Sequence, residues 1–347
     1  MKKYGVLVVD DSAFMRRAIS QLIEGDSQFF VVGIARNGLE AIEKVNRLRP
    51  DLVTMDVEMP EMNGIAALEQ IMNTSPVPIV MLSSRTGEGA AETIQALELG
   101  AVDFFLKESL IRSRVEQEHI QEFHMRLKSI VEAKRRPPVA VKQTQLKAVR
   151  VVRQRQTELI FIGCSTGGPS ALQAILPRFS ANFPIPVVVA QHMPAGFTKP
   201  LAERFNSLCQ LPVQEAKDGQ VIKAGNIYIA PSGYQTLFEK KPDGSVVFKI
   251  FDKVEGKTLY KPSIDISLNS AAPIFTNRLL SVILTGMGAD GTKGCSLVKK
   301  YLGHVFVEAE DSCVVYGMPK SVLEAGYADG QFLLSQIYQE IISYVGY

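Results

Sequence analysis

Short apolar runs without period-two alternation recur along this 347-residue chain, and this pattern restricts the fold more than any other feature. In the first third they occupy residues 5–9, 30–35, 52–55, 78–82 and 103–106, each rich in Val, Ile, Leu or Phe. A strand with one wet face alternates in polarity. A strand buried on both faces reads as a continuous apolar run, and such strands belong to parallel sheets. Amphipathic stretches such as 12–24 and 39–48 separate the runs. Five strand-then-helix repeats predict a doubly wound α/β domain whose last, long helix spans about 113–133.

Lys134-Arg135-Arg136-Pro137-Pro138 ends that helix, because proline cannot continue the hydrogen-bond ladder. Residues 136–156 are basic and Gln-rich with no apolar face, as in a flexible, solvated tether. The first domain is therefore expected over 1–135 and a second over 157–347. Strands of the second are predicted at 159–163, 186–191, 226–230, 279–285 and 304–308. Residues 233–251 alternate around Asp243-Gly244, which signals a hairpin. The second domain reads as doubly wound α/β with an antiparallel hairpin attached.

Composition bounds the partners. The chain is 46% hydrophobic and 21% charged, values of a globular protein rather than a disordered one. A net charge of +2 gives no reason to expect nucleic acid, and no segment of the second domain reads as a basic recognition helix. Cys164, Cys209, Cys295 and Cys313 show no CxxC spacing and read as reduced thiols of a cytoplasmic protein. The first apolar run is too short for a signal peptide, and no segment reaches the ~20 apolar residues of a membrane span. No membrane insertion is expected.

In open α/β sheets, ligands bind beyond the carboxyl ends of the strands. Asp10, Asp11, Asp56, Ser83 and Lys107 all fall at or just after such ends. Carboxylates held together repel unless a cation joins them, and Mg2+ suits an all-oxygen site that keeps waters for a phosphate to replace. An aspartate beside Mg2+ and a lysine can accept a phosphoryl group. Taken singly, Asp11 or Ser12 is equally a helix N-cap. Five such residues at the ends of four strands argue for a site.

The second domain carries Gly163-Cys164-Ser165-Thr166-Gly167, a literal G-x-S-x-G between a strand and a helix. Glycines permit the sharp turn, the hydroxyl projects from it, and amides of the turn face an oxyanion. A phosphate-binding helix N-terminus or a plain N-cap fits the same five residues. A nucleophile needs a base. His119 and His124 fall on the long helix of the first domain and read as solvated, and His304 opens a strand and reads as structural. His192 ends the 186–191 strand, at the same sheet edge as Ser165, and is the candidate base. Asp290, after the 279–285 strand, is the candidate carboxylate that orients the imidazole. The order Ser…His…Asp differs from the Ser…Asp…His of α/β-hydrolases. Gly286-Met287-Gly288-Ala289-Asp290-Gly291 also fits G-x-G-x-x-G, with Glu308 where a ribose-binding acid would stand. Asp290 would then place a carboxylate beside the pyrophosphate, and Ser165 and His192 would have no role.

Residues 1–125 resemble the flavodoxin-like receiver domain of two-component response regulators, through Asp10-Asp11, Met55-Asp56-Val57-Glu58-Met59-Pro60, Ser83 and Lys107. The resemblance implies that Asp56 accepts phosphate from a histidine kinase. It assigns Asp10, Asp11, Asp56 and the Glu58 backbone carbonyl to Mg2+, and makes Ser83 and Lys107 the switch pair. Glu108-Ser109 follows Lys107 where many receivers have proline, which implies a less constrained loop. Residues 159–345 resemble the catalytic domain of the chemotaxis protein-glutamate methylesterase (CheB) family. The matching stretches are Gly163 to Gly168, Gln191-His192-Met193-Pro194, Lys261-Pro262-Ser263-Ile264-Asp265, Leu284 to Gly291 and Val315-Tyr316-Gly317-Met318-Pro319. Lys261 stands where that family is expected to have arginine. The resemblance makes Ser165 the nucleophile, His192 the base and Asp290 its partner, with the amides of Thr166 and Met287 as oxyanion donors. It implies hydrolysis of glutamate γ-methyl esters on chemoreceptors, with glutamine deamidation, needing no cofactor for the ester step and restrained by the receiver until Asp56 is phosphorylated.

Overall fold

The first five apolar runs form one parallel sheet in the computed structural model, which describes residues 3–84, 87–111, 117–133, 157–252 and 260–347. Contacts between Cα atoms divide the chain into two units, Met1–Arg136 and Pro137–Tyr347. The expected tether at 136–156 lies outside the described residues.

Unit one runs β1 (Tyr4–Val9), α1 (Ala13–Glu24), β2 (Phe29–Ala35), α2 (Gly38–Leu48), β3 (Leu52–Asp56), α3 (Gly64–Thr74), β4 (Ile79–Ser83), α4 (Gly87–Glu98), β5 (Asp103–Leu106), α5 (Lys107–Ile111) and α6 (Gln117–Ala133). The sheet order is β2-β1-β3-β4-β5, all parallel. β1, β3, β4 and β5 are buried along their full length, which is why their sequences do not alternate. Ser12, Asn37 and Asn63 cap α1, α2 and α3 by accepting from an amide three residues on. The chain leaves β1 toward β2 and then returns to place β3 on the other side of β1. That reversal opens the crevice at the ends of β1 and β3.

One expectation changes. The stretch after β5 is not a loop: α5 begins at Lys107, and Glu108 lies in its first turn, where an acidic side chain suits the helix dipole. The long helix is described from Gln117 to Ala133, and its expected start at Ser113 lies outside the described residues.

Unit two runs β6 (Leu159–Cys164), α7 (Gly168–Ile175), β7 (Val187–Gln191), α8 (Thr198–Leu208), β8 (Val213–Glu215), β9 (Ile227–Ile229), β10 (Gln235–Lys240), β11 (Val246–Phe251), α9 (Ile264–Phe275), β12 (Leu279–Ile283), α10 (Thr292–Lys300), β13 (His304–Glu308), α11 (Met318–Glu324), β14 (Gly330–Phe332) and α12 (Leu334–Val345). Its seven-stranded parallel sheet is ordered β14-β13-β12-β6-β7-β9-β8, with β10 and β11 forming a separate antiparallel pair. The edge strands β8 and β14 are three residues each, too short to stand out as apolar runs. β12 ends at Ile283, two residues before the predicted end, so Thr285 belongs to the loop that follows. Phe238 and Phe248 of the hairpin join Phe161, Tyr228, Leu268 and Phe275 in one apolar core. The chain fills one side of β6 with β7, β8 and β9, then crosses to build β12, β13 and β14 on the other. The carboxyl end of β6 is therefore the switch point, flanked by the ends of β7 and β12.

Candidate functional site

In unit one, Asp10 follows β1 and Asp56 ends β3, so both carboxylates enter the crevice between those strands. Asp10, Asp11 and Asp56 each offer an oxygen within 4.8 Å of the others. Lys107 places its ammonium 2.6 Å from Asp56 Oδ2 and 3.0 Å from Asp10 Oδ2. Burial pushes the Asp56 carboxyl up to about 6; Lys107 opposes that rise, and the charges of Asp10 and Asp11 add to it. One ammonium thus answers three carboxylates, a charge deficit that fits a divalent cation with oxygen ligands. Asp11, Asp56, Glu58 and Lys107 line the cleft above them. The Glu58 side chain is exposed. Ser12, read as a possible cap, does cap α1.

Ser83 lies apart from this cluster in its bonding. Its buried hydroxyl accepts from Thr93 Oγ1 at 2.7 Å and lies 3.3 Å from the Gly89 carbonyl, so it faces α4. Thr93 is a partner that the spacing of the strand ends does not reveal.

In unit two the register pairs Cys164 with Gln191, so Ser165 and His192 are the next residues along neighbouring parallel strands. Gln191 ties them together. Its buried amide donates to the carbonyls of Ser165 (3.0 Å) and His192 (2.9 Å), while its oxygen lies 2.9 Å from Cys164 Sγ. Two glycines make the turn possible. Gly167 has φ of +78° and opens α7, and a Cβ on Gly168 would stand 1.9 Å from Gln191 Oε1. Ser165 donates its amide to the Thr285 carbonyl at 3.0 Å, and Thr285 Oγ1 donates to the Thr166 carbonyl at 2.9 Å. The β12 loop therefore braces the serine turn.

His192 and Asp290 are joined, with Nε2 2.8 Å from Asp290 Oδ2 and both side chains buried. Asp290 also accepts from Ser263 Oγ (3.0 Å) and from the amides of Ile264 (2.7 Å) and Asp265 (2.9 Å) at the start of α9. Burial raises its pKa, but the His192 contact and these amides outweigh it, and the carboxyl is held below its ordinary value. Asp265 returns the service, accepting from the amides of Gly291 (2.9 Å) and Gly294 (2.7 Å). An ionised Asp290 can only accept, so Nε2 carries the proton and Nδ1 offers its lone pair. Nδ1 is buried and has no hydrogen-bond partner among the described residues. The Ser165 hydroxyl likewise makes no hydrogen bond among them, so the His192–Asp290 link is formed and the Ser165–His192 link is open. The amide of Met287, expected to meet an oxyanion, also bonds to none of them, and the Thr166 side chain is buried.

Other expectations change. His124 is half-buried, and its Nε2, 2.7 Å from the Leu22 carbonyl, ties α6 to α1. His119 is exposed. His304 opens β13 against the Tyr344 ring. Glu308 is fully buried and accepts the Thr285 amide at 2.8 Å, so it holds the β12 loop and presents nothing to a ribose. Lys261 bonds the Asp252 carbonyl (2.7 Å) and carboxylate (2.9 Å) at the end of β11. Tyr260, which sequence reasoning missed, stacks its ring on His192. Gln235 was missed as well; its side chain holds the backbone on both sides of Pro262.

Comparison with known proteins follows the same division. Residues 160–341 match the family model for CheB methylesterase, and residues 6–117 match that for the response regulator receiver domain. A protein-glutamate methylesterase/protein-glutamine glutaminase of Thermotoga maritima is 43% identical over 341 residues, covering 98% of each chain. One from Idiomarina loihiensis is 41% identical over 380 residues, covering 99% of this chain and 98% of the other. Among solved structures, the catalytic domain of Thermotoga maritima CheB methylesterase aligns with a TM-score of 0.52 at 46% identity, over 54% of this chain and 98% of that one. No helix among the described residues is long and apolar enough to cross a membrane.

Proposed function

The chain belongs to the CheB methylesterase family, and on that premise we propose that it is a phosphorylation-activated serine esterase that removes γ-methyl groups from glutamates of chemoreceptors. It is a protein-glutamate methylesterase/protein-glutamine glutaminase with a response-regulator receiver at its N-terminus. The observation that carries the mechanism is the His192–Asp290 pair, with an unpartnered Nδ1, at the end of the strand beside Ser165.

Ser165 Oγ turns to Nδ1, gives up its proton, and attacks the ester carbonyl. Asp290 stabilises the imidazolium that forms and keeps the ring in the right tautomer. The Met287 and Thr166 amides receive the oxyanion. Collapse breaks the bond to the methoxy group, which takes the proton from His192 and leaves as methanol. Water then gives a proton to His192, attacks the acyl carbonyl, and frees the glutamate as Ser165 regains its proton. Glutamine follows the same path with ammonia as the leaving group. Both products add a negative charge to the receptor surface. No cofactor takes part.

In the receiver, Asp56 accepts a phosphoryl group from a histidine kinase and Lys107 pairs with the phosphorylated carboxylate; Asp10, Asp11, Asp56 and the Glu58 carbonyl are the groups that would hold Mg2+. Mg2+, when bound, supplies the charge that draws phosphate oxygens to the site. Ser83 exchanges Thr93 for the phosphate, and the signal raises the esterase rate. The setting is the cytoplasm.

The test incubates the full-length protein with methyl-labelled receptor, with and without a small phosphodonor, and counts released methanol. Release should rise with the donor. Ser165→Ala should abolish it, a loss of about a thousandfold or more, while Asp56 still takes up phosphate. Undiminished release by the alanine variant would sink the mechanism.

A further inference from the structure

The phenol ring of Tyr260 lies parallel to the His192 imidazole, with centroids 4.1 Å apart and planes 4° apart. A single hydrogen bond to Asp290 fixes one edge of the imidazole but leaves the ring free to pivot about that contact. A parallel ring at this distance removes the pivot. With its Nε2 edge and its plane both set, the direction of Nδ1 is set as well.

Tyr260 is itself held from the same side as the carboxylate. Its carbonyl accepts from Gln235 Nε2 at 2.7 Å, and the oxygen of that same amide accepts the Ser263 amide at 2.8 Å. Gln235 is fully buried. Ser263 in turn donates its hydroxyl to Asp290 at 3.0 Å. One short segment, pinned by one glutamine, thus carries both the ring that covers the imidazole and a donor that aims its carboxylate.

We propose that Tyr260 is a positioning residue for the esterase reaction: its ring holds His192 in the plane that aims Nδ1 at Ser165, and its π face stabilises the imidazolium formed when Ser165 is deprotonated. This rests on the esterase reading above. Ring-face attraction for a cation grows as the cation forms, so the contact favours the transition state over the resting enzyme.

The experiment uses the full chain with Tyr260→Phe and Tyr260→Leu. Phenylalanine keeps the face and should keep kcat within about twofold. Leucine keeps apolar bulk without the face and should lower kcat by about ten- to a hundredfold, with KM changed less than about twofold. NMR of the carbon-bound His192 ring protons gives a second readout. They should be shifted upfield by the stacked ring in the wild type and in Tyr260→Phe, and return toward their ordinary position in Tyr260→Leu. Wild-type turnover by the leucine variant overturns the proposal, as does a phenylalanine variant as impaired as leucine, or a wild-type spectrum without the shift. Should the leucine variant fail to fold, the wild-type spectrum and the phenylalanine variant still decide. A wild type that shows the shift yet releases no methanol overturns the esterase reading, and this role with it.

Discussion

Asp56 and Asp290 are equally hidden, their side chains 5% and 6% exposed, yet their proton affinities move in opposite directions. Burial acts first on both and raises both. What differs is the company. Asp56 has one ammonium and two further carboxylates, so its negative charge is only partly answered. Asp290 has a hydroxyl, two helix-start amides and an imidazole N–H, so its charge is fully answered. The receiver crevice is electrostatically unfinished, as a site must be if it is to welcome a cation and a phosphoryl group. In unit two the imidazole–carboxylate pair is already formed and its charge met, while the Ser165–His192 link is open.

The contrast breaks most visibly at Asp290. Five donors, the Gly291 amide among them, converge on its two oxygens, and asparagine would offer one oxygen and one N–H2 to the same donors. Asp290→Asn is expected to lower kcat by about 10^3- to 10^4-fold, because the imidazole loses both its tautomer and its counter-charge. Methanol release from methylated receptor measures this, and a loss under tenfold would mean that Asp290 does not orient the base.

The next largest effect separates the two regions by cation. Mg2+ should stabilise the unit that lacks countercharge and no other. At a hundred times its dissociation constant, it should add about 2.7 kcal/mol to the protection of amides in β1 to β5 against hydrogen exchange. Amides of β6, β7 and β12 should not respond. Equal protection in both units, or none in either, would remove the electrostatic distinction.

The sheets were legible in the sequence because strands buried on both faces cannot alternate, and β1, β3, β5 and β6 carry that mark plainly. The acidic crevice was legible for a related reason: polar residues that abruptly end apolar runs stand out. Asp290 and His192 could be paired because both follow strand ends at one switch point. Tyr260, Gln235 and Ser263 could not be found this way. They act across the chain from a hairpin and a helix start, and no periodicity records that a side-chain amide 25 residues away will grip the Tyr260 carbonyl. Ser83's attachment to Thr93 was hidden for the same reason, since a buried threonine in α4 reads as one more core residue. His124 read as solvated because a lone histidine on an amphipathic helix gives no sign of a carbonyl partner 102 residues earlier.

Glu308 is a third hidden carboxylate, and the effect expected of it is the smallest. It is more buried than either aspartate, and one backbone amide meets Oε2 while Oε1 is a buried oxygen without a hydrogen-bond partner. Burial raises its pKa, and the opposing contacts from Thr285, Ser312 and Cys313 do not cancel the rise. If the number of donors decides the sign, as Asp290 and Asp56 imply, Glu308 belongs with Asp56 and folds best as the neutral acid. The sign then follows from linkage. Between the unfolded pKa of about 4.3 and the higher folded value, the native state binds more protons than the unfolded one, so stability falls as pH rises through that window. The slope is at most about 1.4 kcal/mol per pH unit for one proton. Glu308→Gln keeps an oxygen for the Thr285 amide and has nothing to ionise, so it should not share this loss. Urea unfolding of both proteins at a series of pH values should show the glutamine variant gaining on the wild type as pH rises above that lower limit. Parallel curves would show that Glu308 ionises as easily in the fold as in water, and that donor count does not set the sign.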